Sequence, residues 1–193
     1  MVTTRDIYYE IGVGIADVTD PAIGLAMQGM ADPSQKTSGV EFPLYSRAFV
    51  IAEKAGLQRV AIAIADIWAC TAAVKTEVVK RLQLKFHSLY KEENILIAGT
   101  HTHSGPGGFS KSRLYEHVTG GFDPHTFECV VSGIVESIEK AHFNLEPGKV
   151  YIGRDRLPDC GRQRSRAAYL NNPLSERLQY DTDADEEMLL LKF

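Results

Sequence analysis

The sequence has little cysteine, with three residues in a chain of 193, which excludes a disulfide-dense scaffold. Cys70, Cys129 and Cys160 also lack the Cys-x-x-Cys spacing of a structural zinc knuckle. One disulfide is still possible. The alternative is free buried thiols, which the apolar surroundings of Cys70 and Cys129 favour.

Long hydrophobic runs and an excess of positive charge are absent as well. No stretch approaches the roughly 18 apolar residues that span a bilayer, and the run Met1 to Asp6 does not begin a secretory signal. The chain has 21 Lys and Arg against 25 Asp and Glu, a net charge of -4. This balance gives no electrostatic basis for binding nucleic acid.

The sequence does contain apolar strands that alternate with amphipathic helices. Short apolar runs predict strands over 48–52, 60–65, 95–98 and 150–152. Helical spacing predicts one helix from Val74 to Leu89 and a second that begins at Asp123. The order predicts an α/β fold with a mixed, partly parallel sheet and flanking amphipathic helices. The runs 60–65 and 95–98 are apolar almost throughout, so we expect central strands covered on both faces.

Two histidines, His101 and His103, follow the third predicted strand and precede a glycine-rich turn over 104–108. In extended backbone alternate side chains share a face, so the two rings should lie together. Neutral imidazole is a common zinc ligand, and the glycines let the backbone approach a ligand closely. The pattern alone leaves two interpretations: a metal site, or two polar residues satisfied at a strand end.

The other candidate ligands are weaker. Asp66 ends a predicted strand and can approach His101, although a carboxylate that begins a loop is more often a cap. Four further histidines lack the spacing of a His-Glu-x-x-His helix and are expected at the surface: His87, His117, His125 and His142. A catalytic zinc usually has three protein ligands, so this chain supplies fewer than it needs.

The run from Gly99 to Gly108, Gly-Thr-His-Thr-His-Ser-Gly-Pro-Gly-Gly, closely resembles the signature of the neutral ceramidases, which hydrolyse the amide of N-acylsphingosines. Other segments match that family in the same order along the chain: 12–19, 27–31, 47–50, 167–173, 175–177 and 187–193. The resemblance therefore covers nearly the whole sequence.

The resemblance implies roles for three residues. His101 would be a zinc ligand, His103 would be a catalytic group that faces the substrate, and Arg164 would donate to the substrate amide oxygen or a polar headgroup. The family usually has Asn-Arg-Ser-Pro where this chain has Gln-Arg-Ser-Arg over 163–166. That departure leaves two neighbouring arginines, Arg162 and Arg166, as alternatives, and an exposed basic loop as the simplest interpretation.

The resemblance further implies a zinc-dependent amidohydrolase that cleaves ceramide to sphingosine and a fatty acid. Ceramide and related N-acylsphingosines would be its partners, a membrane surface its source of substrate, and its location secreted or extracellular at the plasma membrane. A metallo-β-lactamase-like enzyme is not favoured, because its His-x-His-x-Asp-His motif is not matched. Phe109, Leu114 and Tyr115 are candidates for the wall of a lipid cleft.

The family's other zinc ligands, its serine motif and its immunoglobulin-like domain do not occur before Phe193. The last residues, from Met188 to Phe193, also form a strand-like run. We therefore expect residues 1–193 to be the N-terminal portion of a longer catalytic domain, with a sheet that is incomplete at the C-terminus. The alternative is a non-catalytic fragment or short isoform that binds a partner or lipid.

Overall fold

The structure, a computed structural model, describes residues 9–30, 32–54 and 58–193. The chain divides into two compact units, Met1–Lys149 and Val150–Phe193. The run Met1 to Asp6, in which no secretory signal is predicted, lies outside the described residues, as does Ala31.

The first unit is built on a five-stranded sheet in the order β4-β3-β2-β1-β5. Strand β3 pairs with β4 in parallel, and the other neighbours pair antiparallel. The strands are β1 (Tyr9–Asp17), β2 (Tyr45–Glu53), β3 (Arg59–Ala65), β4 (Ile95–Gly99) and β5 (Glu146–Gly148). The predicted mixed, partly parallel sheet is confirmed.

Three helices of this unit are α1 (Ala72–Phe86), α2 (Arg113–Thr119) and α3 (Pro124–Phe143). As predicted, Asp123 caps α3, and its carboxylate accepts a hydrogen bond from the Thr126 amide at 2.8 Å. Helix α3 lies directly against β1, since a Cβ on Gly14 would come within 2.1 Å of the Ser137 carbonyl oxygen. The core forms where α3 meets the sheet and α1, and it includes Val50, Leu82 and Ile134.

The opposite face of the sheet is apolar and exposed. Val13, Ile15, Val60 and Leu96 are each 45–57% exposed, and no other described residue of the first unit covers them. The prediction that the second and third strands are covered on both faces is therefore wrong within the described part of this unit. In the five-stranded sheet of the described residues, β4 is an edge strand, and β3 pairs with β2 in antiparallel orientation. An apolar run shows that a strand suits burial, but it does not show what covers each face.

The second unit contains an antiparallel pair, β6 (Tyr151–Arg156) and β7 (Glu187–Lys192), in which Tyr151 lies opposite Lys192. Two helices of one turn each, α4 (Arg166–Tyr169) and α5 (Leu174–Arg177), occupy the connection. Both predicted strand runs of this region are present. Across both units, no helix among the described residues has the length and apolar character needed to cross a bilayer.

Candidate functional site

His101 is held by the loop that follows β3. Its backbone amide donates to the Ile67 carbonyl at 3.1 Å, and its Nδ1 lies 2.7 Å from the Trp68 carbonyl oxygen. A carbonyl oxygen can only accept, so Nδ1 carries the proton and the lone pair is on Nε2. A backbone carbonyl on one ring nitrogen is a common way to fix a metal-binding imidazole.

His103 is held in the same way by a different loop. Its Nδ1 donates to the Gln28 carbonyl at 2.6 Å, so Nε2 again carries the lone pair. The next residue, Gly29, has a left-handed φ of 82°. A Cβ there would lie 2.0 Å from Nδ1 of His103, so a residue without a side chain is required at this position.

The two rings lie together, with centroids 4.9 Å apart and planes at 86°. The backbone between them is not the extended one that the sequence suggests, because His101 has a left-handed φ of 62°. Strand β4 ends at Gly99, and the hydrogen bonds of His101 to the loop after β3 turn the chain at that point. The structure thus presents two imidazoles whose Nδ1 atoms are engaged by backbone carbonyls, and no described residue forms a hydrogen bond with either Nε2.

Two loops meet around His103. The Gly107 amide donates to the Ala26 carbonyl at 2.9 Å, and Met27 and Pro106 form an isolated bridge. A Cβ on Gly107 would meet the Thr119 side chain at 2.4 Å, so this glycine is required for close packing. The turn after the histidines is therefore fixed to the loop that positions His103.

The proposed cleft residues lie close to Trp68, whose carbonyl fixes His101. The Tyr115 ring centroid is 5.3 Å from that of Trp68, and the Phe109 centroid is 6.3 Å from it. Phe109 is buried, so it contributes to the core, whereas Leu114 and Tyr115 are 75% and 45% exposed. Apolar surface therefore continues from Trp68 onto α2.

Arg164 belongs to the second unit, where it lies exposed in the turn before α4. Its neighbour Arg166 lies with Nε 3.6 Å from a carboxylate oxygen of Asp183. Arg164 forms no ion pair with any residue that the structure describes. Of these two arginines, Arg164 has the guanidinium free to meet a ligand.

Asp66 is used within the fold. One of its carboxylate oxygens accepts from the Tyr45 amide at 3.0 Å and from the Arg47 guanidinium at 3.0 Å. Both contacts hold the start of β2 against the end of β3. Asp66 therefore has the capping role that was the simpler interpretation, and it is not a free ligand beside His101.

The expected surface position is wrong for His142. Its ring lies 4.3 Å from that of Phe86, and its Nδ1 is 2.9 Å from the Tyr90 hydroxyl. Burial lowers the pKa of His142, and the positive charge of Arg59 lowers it further. The last turn of α3 packs on the end of α1, and this contact leaves the imidazole half-buried.

The three cysteines are free thiols, as the favoured interpretation predicted for Cys70 and Cys129, and the alternative disulfide is not formed. A contact that the sequence did not predict is that of Glu116, which is buried and accepts hydrogen bonds from the Ser110 amide and hydroxyl and from the Lys111 amide at 2.6–2.9 Å. These contacts close the loop that leads from the histidines to α2. A single glutamate in a loop-rich segment gives no periodic pattern by which it could be detected.

A family profile described as neutral/alkaline non-lysosomal ceramidase, N-terminal, matches residues 9–193. Neutral ceramidase from Oryza sativa is 43% identical over 96% of this chain and 23% of its own length. Neutral ceramidase from Pseudomonas aeruginosa is 39% identical over 97% of this chain and 28% of its own length. The chain thus spans about a quarter of the length of these relatives.

Solved structures give the same result for the fold. The crystal structure of the Pseudomonas aeruginosa neutral ceramidase superposes with a TM-score of 0.88 at 38% identity, over 97% of this chain and 29% of that one. A ceramidase complexed with C2 superposes with a TM-score of 0.87 over 96% of this chain. From the profile match over almost its whole length, the chain belongs to the neutral/alkaline non-lysosomal ceramidase family and corresponds to its N-terminal region.

Proposed function

We propose that this chain is the N-terminal portion of a zinc-dependent amidohydrolase that cleaves the N-acyl amide of ceramide to sphingosine and a fatty acid. Relatives named neutral ceramidases cover nearly the whole chain, which supports the substrate class. The observation that carries the proposal is the pair His101 and His103. Each ring donates from Nδ1 to a backbone carbonyl and keeps Nε2 available.

The donor chemistry of this pair fits zinc. We assign His101 as the zinc ligand, because the Trp68 carbonyl fixes its tautomer and leaves Nε2 to bind the metal. Zinc bound there would polarise the amide carbonyl or lower the pKa of an attacking water to about 7. Catalytic zinc takes about three protein ligands, so the remaining ligands would come from outside this chain.

The other two residues would act on the substrate. The Nε2 lone pair of His103 can accept a hydrogen bond from a substrate hydroxyl or amide, and the Gln28 carbonyl holds the ring in that orientation. Arg164 can donate to the amide oxygen as negative charge develops there, or to the polar headgroup. Ceramide is a lipid, so a membrane surface at the outer side of the cell is the proposed source of substrate.

Zinc content and ceramide hydrolysis of His101→Ala in the full-length protein test this assignment. We expect both to be lost, since only one imidazole, that of His103, would remain at this position. His117→Ala is the matched control, because His117 is exposed on α2 and should keep zinc and turnover. Stoichiometric zinc with unchanged turnover in His101→Ala would exclude this residue as the ligand.

The alternative function, a non-catalytic fragment or short form that binds a partner or lipid, is supported by one observation. Among the described residues, two imidazoles meet at this position and no further ligand joins them there. Hydrolysis of a fluorescent ceramide by residues 1–193 alone and by the full-length protein separates the two functions. Turnover by both would show that the chain holds a complete catalytic set, and turnover by the full-length protein alone would support the division proposed here.

A further inference from the structure

A second cluster of metal-ligating groups lies where the loop after β1 meets the first turns of α3. Asp20 is 5% exposed. One of its carboxylate oxygens accepts from the Ala22 amide at 2.9 Å and lies 3.1 Å from Nδ1 of His125. The other accepts from the Thr126 hydroxyl at 2.6 Å. No lysine or arginine that the structure describes pairs with this carboxylate, and the imidazole of His125 is the basic group beside it.

Helix α3 brings two more ligand types to the same place. His125 and Cys129 are four residues apart and therefore share one face of the helix. Sγ of Cys129 lies 3.8 Å from Nδ1 of His125, and the ligand atoms of Asp20, His125 and Cys129 all lie within 4.8 Å of one another. Oxygen, nitrogen and sulfur donors thus converge on one point.

The two separations measured from the ring nitrogen of His125 suit a tetrahedral ion. With zinc bonds of about 2.0–2.3 Å, tetrahedral angles place oxygen roughly 3.3 Å and sulfur roughly 3.6 Å from the ring nitrogen. The observed separations are 3.1 Å for oxygen and 3.8 Å for sulfur. The His125 side chain is 66% exposed, so water can reach the fourth position and the ring can adjust.

The electrostatic surroundings also favour a cation. Burial raises the pKa of the Cys129 thiol, and so do the negative charges of Asp20, Glu128, Asp123 and Asp17. The same negative potential that disfavours a bare thiolate attracts a divalent ion, which then stabilises the thiolate directly.

We propose that Asp20, His125 and Cys129 bind a zinc ion, with water as the fourth ligand, in addition to the zinc proposed at His101. On binding, the Cys129 thiol releases one proton to solvent. His125 moves its proton from Nδ1 to Nε2, so that the Nδ1 lone pair binds the metal in place of the hydrogen bond to Asp20. The ion would join two segments that are 105 residues apart in sequence, so it would stabilise the fold.

Cobalt(II), added alone to metal-free protein, tests this proposal, because a cobalt thiolate gives a charge-transfer absorption that nitrogen and oxygen ligands do not. We expect this absorption to saturate at one equivalent in His101→Ala, in which the proposed catalytic zinc site is disabled, and to disappear when zinc is added. It should be lost in Cys129→Ser, and the affinity should fall on the order of tenfold or more in His125→Ala. Cys70→Ser is the matched control and should keep the absorption, since Cys70 is the other half-buried thiol.

His101→Ala should also keep the absorption, so failure of this site and failure of the proposed catalytic zinc are distinguishable. Absence of the thiolate absorption in the unsubstituted protein, or its persistence in Cys129→Ser, would overturn the proposal. Should the variants fail to fold, alkylation of Cys129 in the unsubstituted protein decides the question. If zinc protects Cys129 from alkylation, the site is supported. Equal alkylation of Cys129 with and without zinc would reject it.

Discussion

The ring of His103 and the backbone carbonyl of Gln28, 75 residues apart in sequence, are joined by a hydrogen bond of 2.6 Å. The carbonyl sets the tautomer of the imidazole and directs Nε2 away from the loop. Gly29, immediately after Gln28, leaves the space that the ring occupies. The position of His103 therefore depends on the loop that contains Gln28 and Gly29, which holds the ring through a backbone carbonyl and not through a side chain.

Gly29→Ala should displace His103 and lower ceramide hydrolysis in the full-length protein on the order of a hundredfold, the effect of a misplaced catalytic group. The matched control is Gly24→Ala. Gly24 has a similar φ of 85°, but a Cβ there meets nothing within 4 Å. Both variants carry about 1–2 kcal/mol of backbone strain, so a difference in activity between them reports the contact with His103. Equal activities would show that the ring position is not important.

Arg164→Ala should lower kcat/KM for ceramide by about tenfold or more, as expected when a charge-assisted hydrogen bond is lost. Arg164→Lys should recover little of that loss, because an ammonium group cannot reproduce the planar set of donors. Arg166→Ala is the control, since this side chain already contacts Asp183. A kcat/KM within about twofold of the unsubstituted enzyme, less than one hydrogen bond is worth, would transfer the role to Arg162 or remove it.

Glu116→Gln should destabilise the first unit by about 1–3 kcal/mol, because the three donors of Ser110 and Lys111 all reach one carboxylate oxygen, and a neutral amide oxygen is a weaker acceptor for them. The measurement is the free energy of unfolding in urea. Glu93→Gln provides the comparison, since Glu93 is 72% exposed and lies 3.8 Å from Lys91, so its change should stay within about 0.5 kcal/mol. Equal effects of the two substitutions would contradict an anchoring role for Glu116.

The ion pair between α1 and α3 should make part of the stability pH-dependent. Two nitrogens of Arg81 lie 2.6 and 2.8 Å from the two carboxylate oxygens of Glu128, and they lower the pKa of Glu128 from 4.5 to about 2. The stabilisation is therefore complete above pH 4.5 and is lost as the pH falls toward 2.

The fall in the free energy of unfolding between pH 5 and pH 2 should be smaller in Glu128→Gln, by about 1 kcal/mol or less. The effect is small because the carboxylate is 55% exposed and screened by water. Chemical denaturation of both proteins at several pH values in this range provides the measurement. Parallel pH profiles for the two proteins would show that the pair contributes no pH-dependent stability.

Local patterns predicted much of the secondary structure. The strands at 45–53, 59–65 and 95–99 and the Asp123 cap of α3 follow from periodicity and cap preferences, which depend on neighbouring residues. The rings of His101 and His103 lie together as predicted, although the backbone at His101 is left-handed and not extended. Short-range sterics and side-chain periodicity act within a few residues, so they can be recognised in the sequence.

Three other features were decided by the tertiary structure. The left-handed backbone of His101, the exposed apolar face of the sheet, and the cluster of Asp20 with His125 and Cys129 all depend on segments that are distant in sequence. A backbone carbonyl occurs at every residue, so the sequence does not mark Gln28 or Trp68 as the ones that position the two imidazoles. Folding selects those carbonyls, because only the packed loops determine which of them comes within hydrogen-bond distance of each ring.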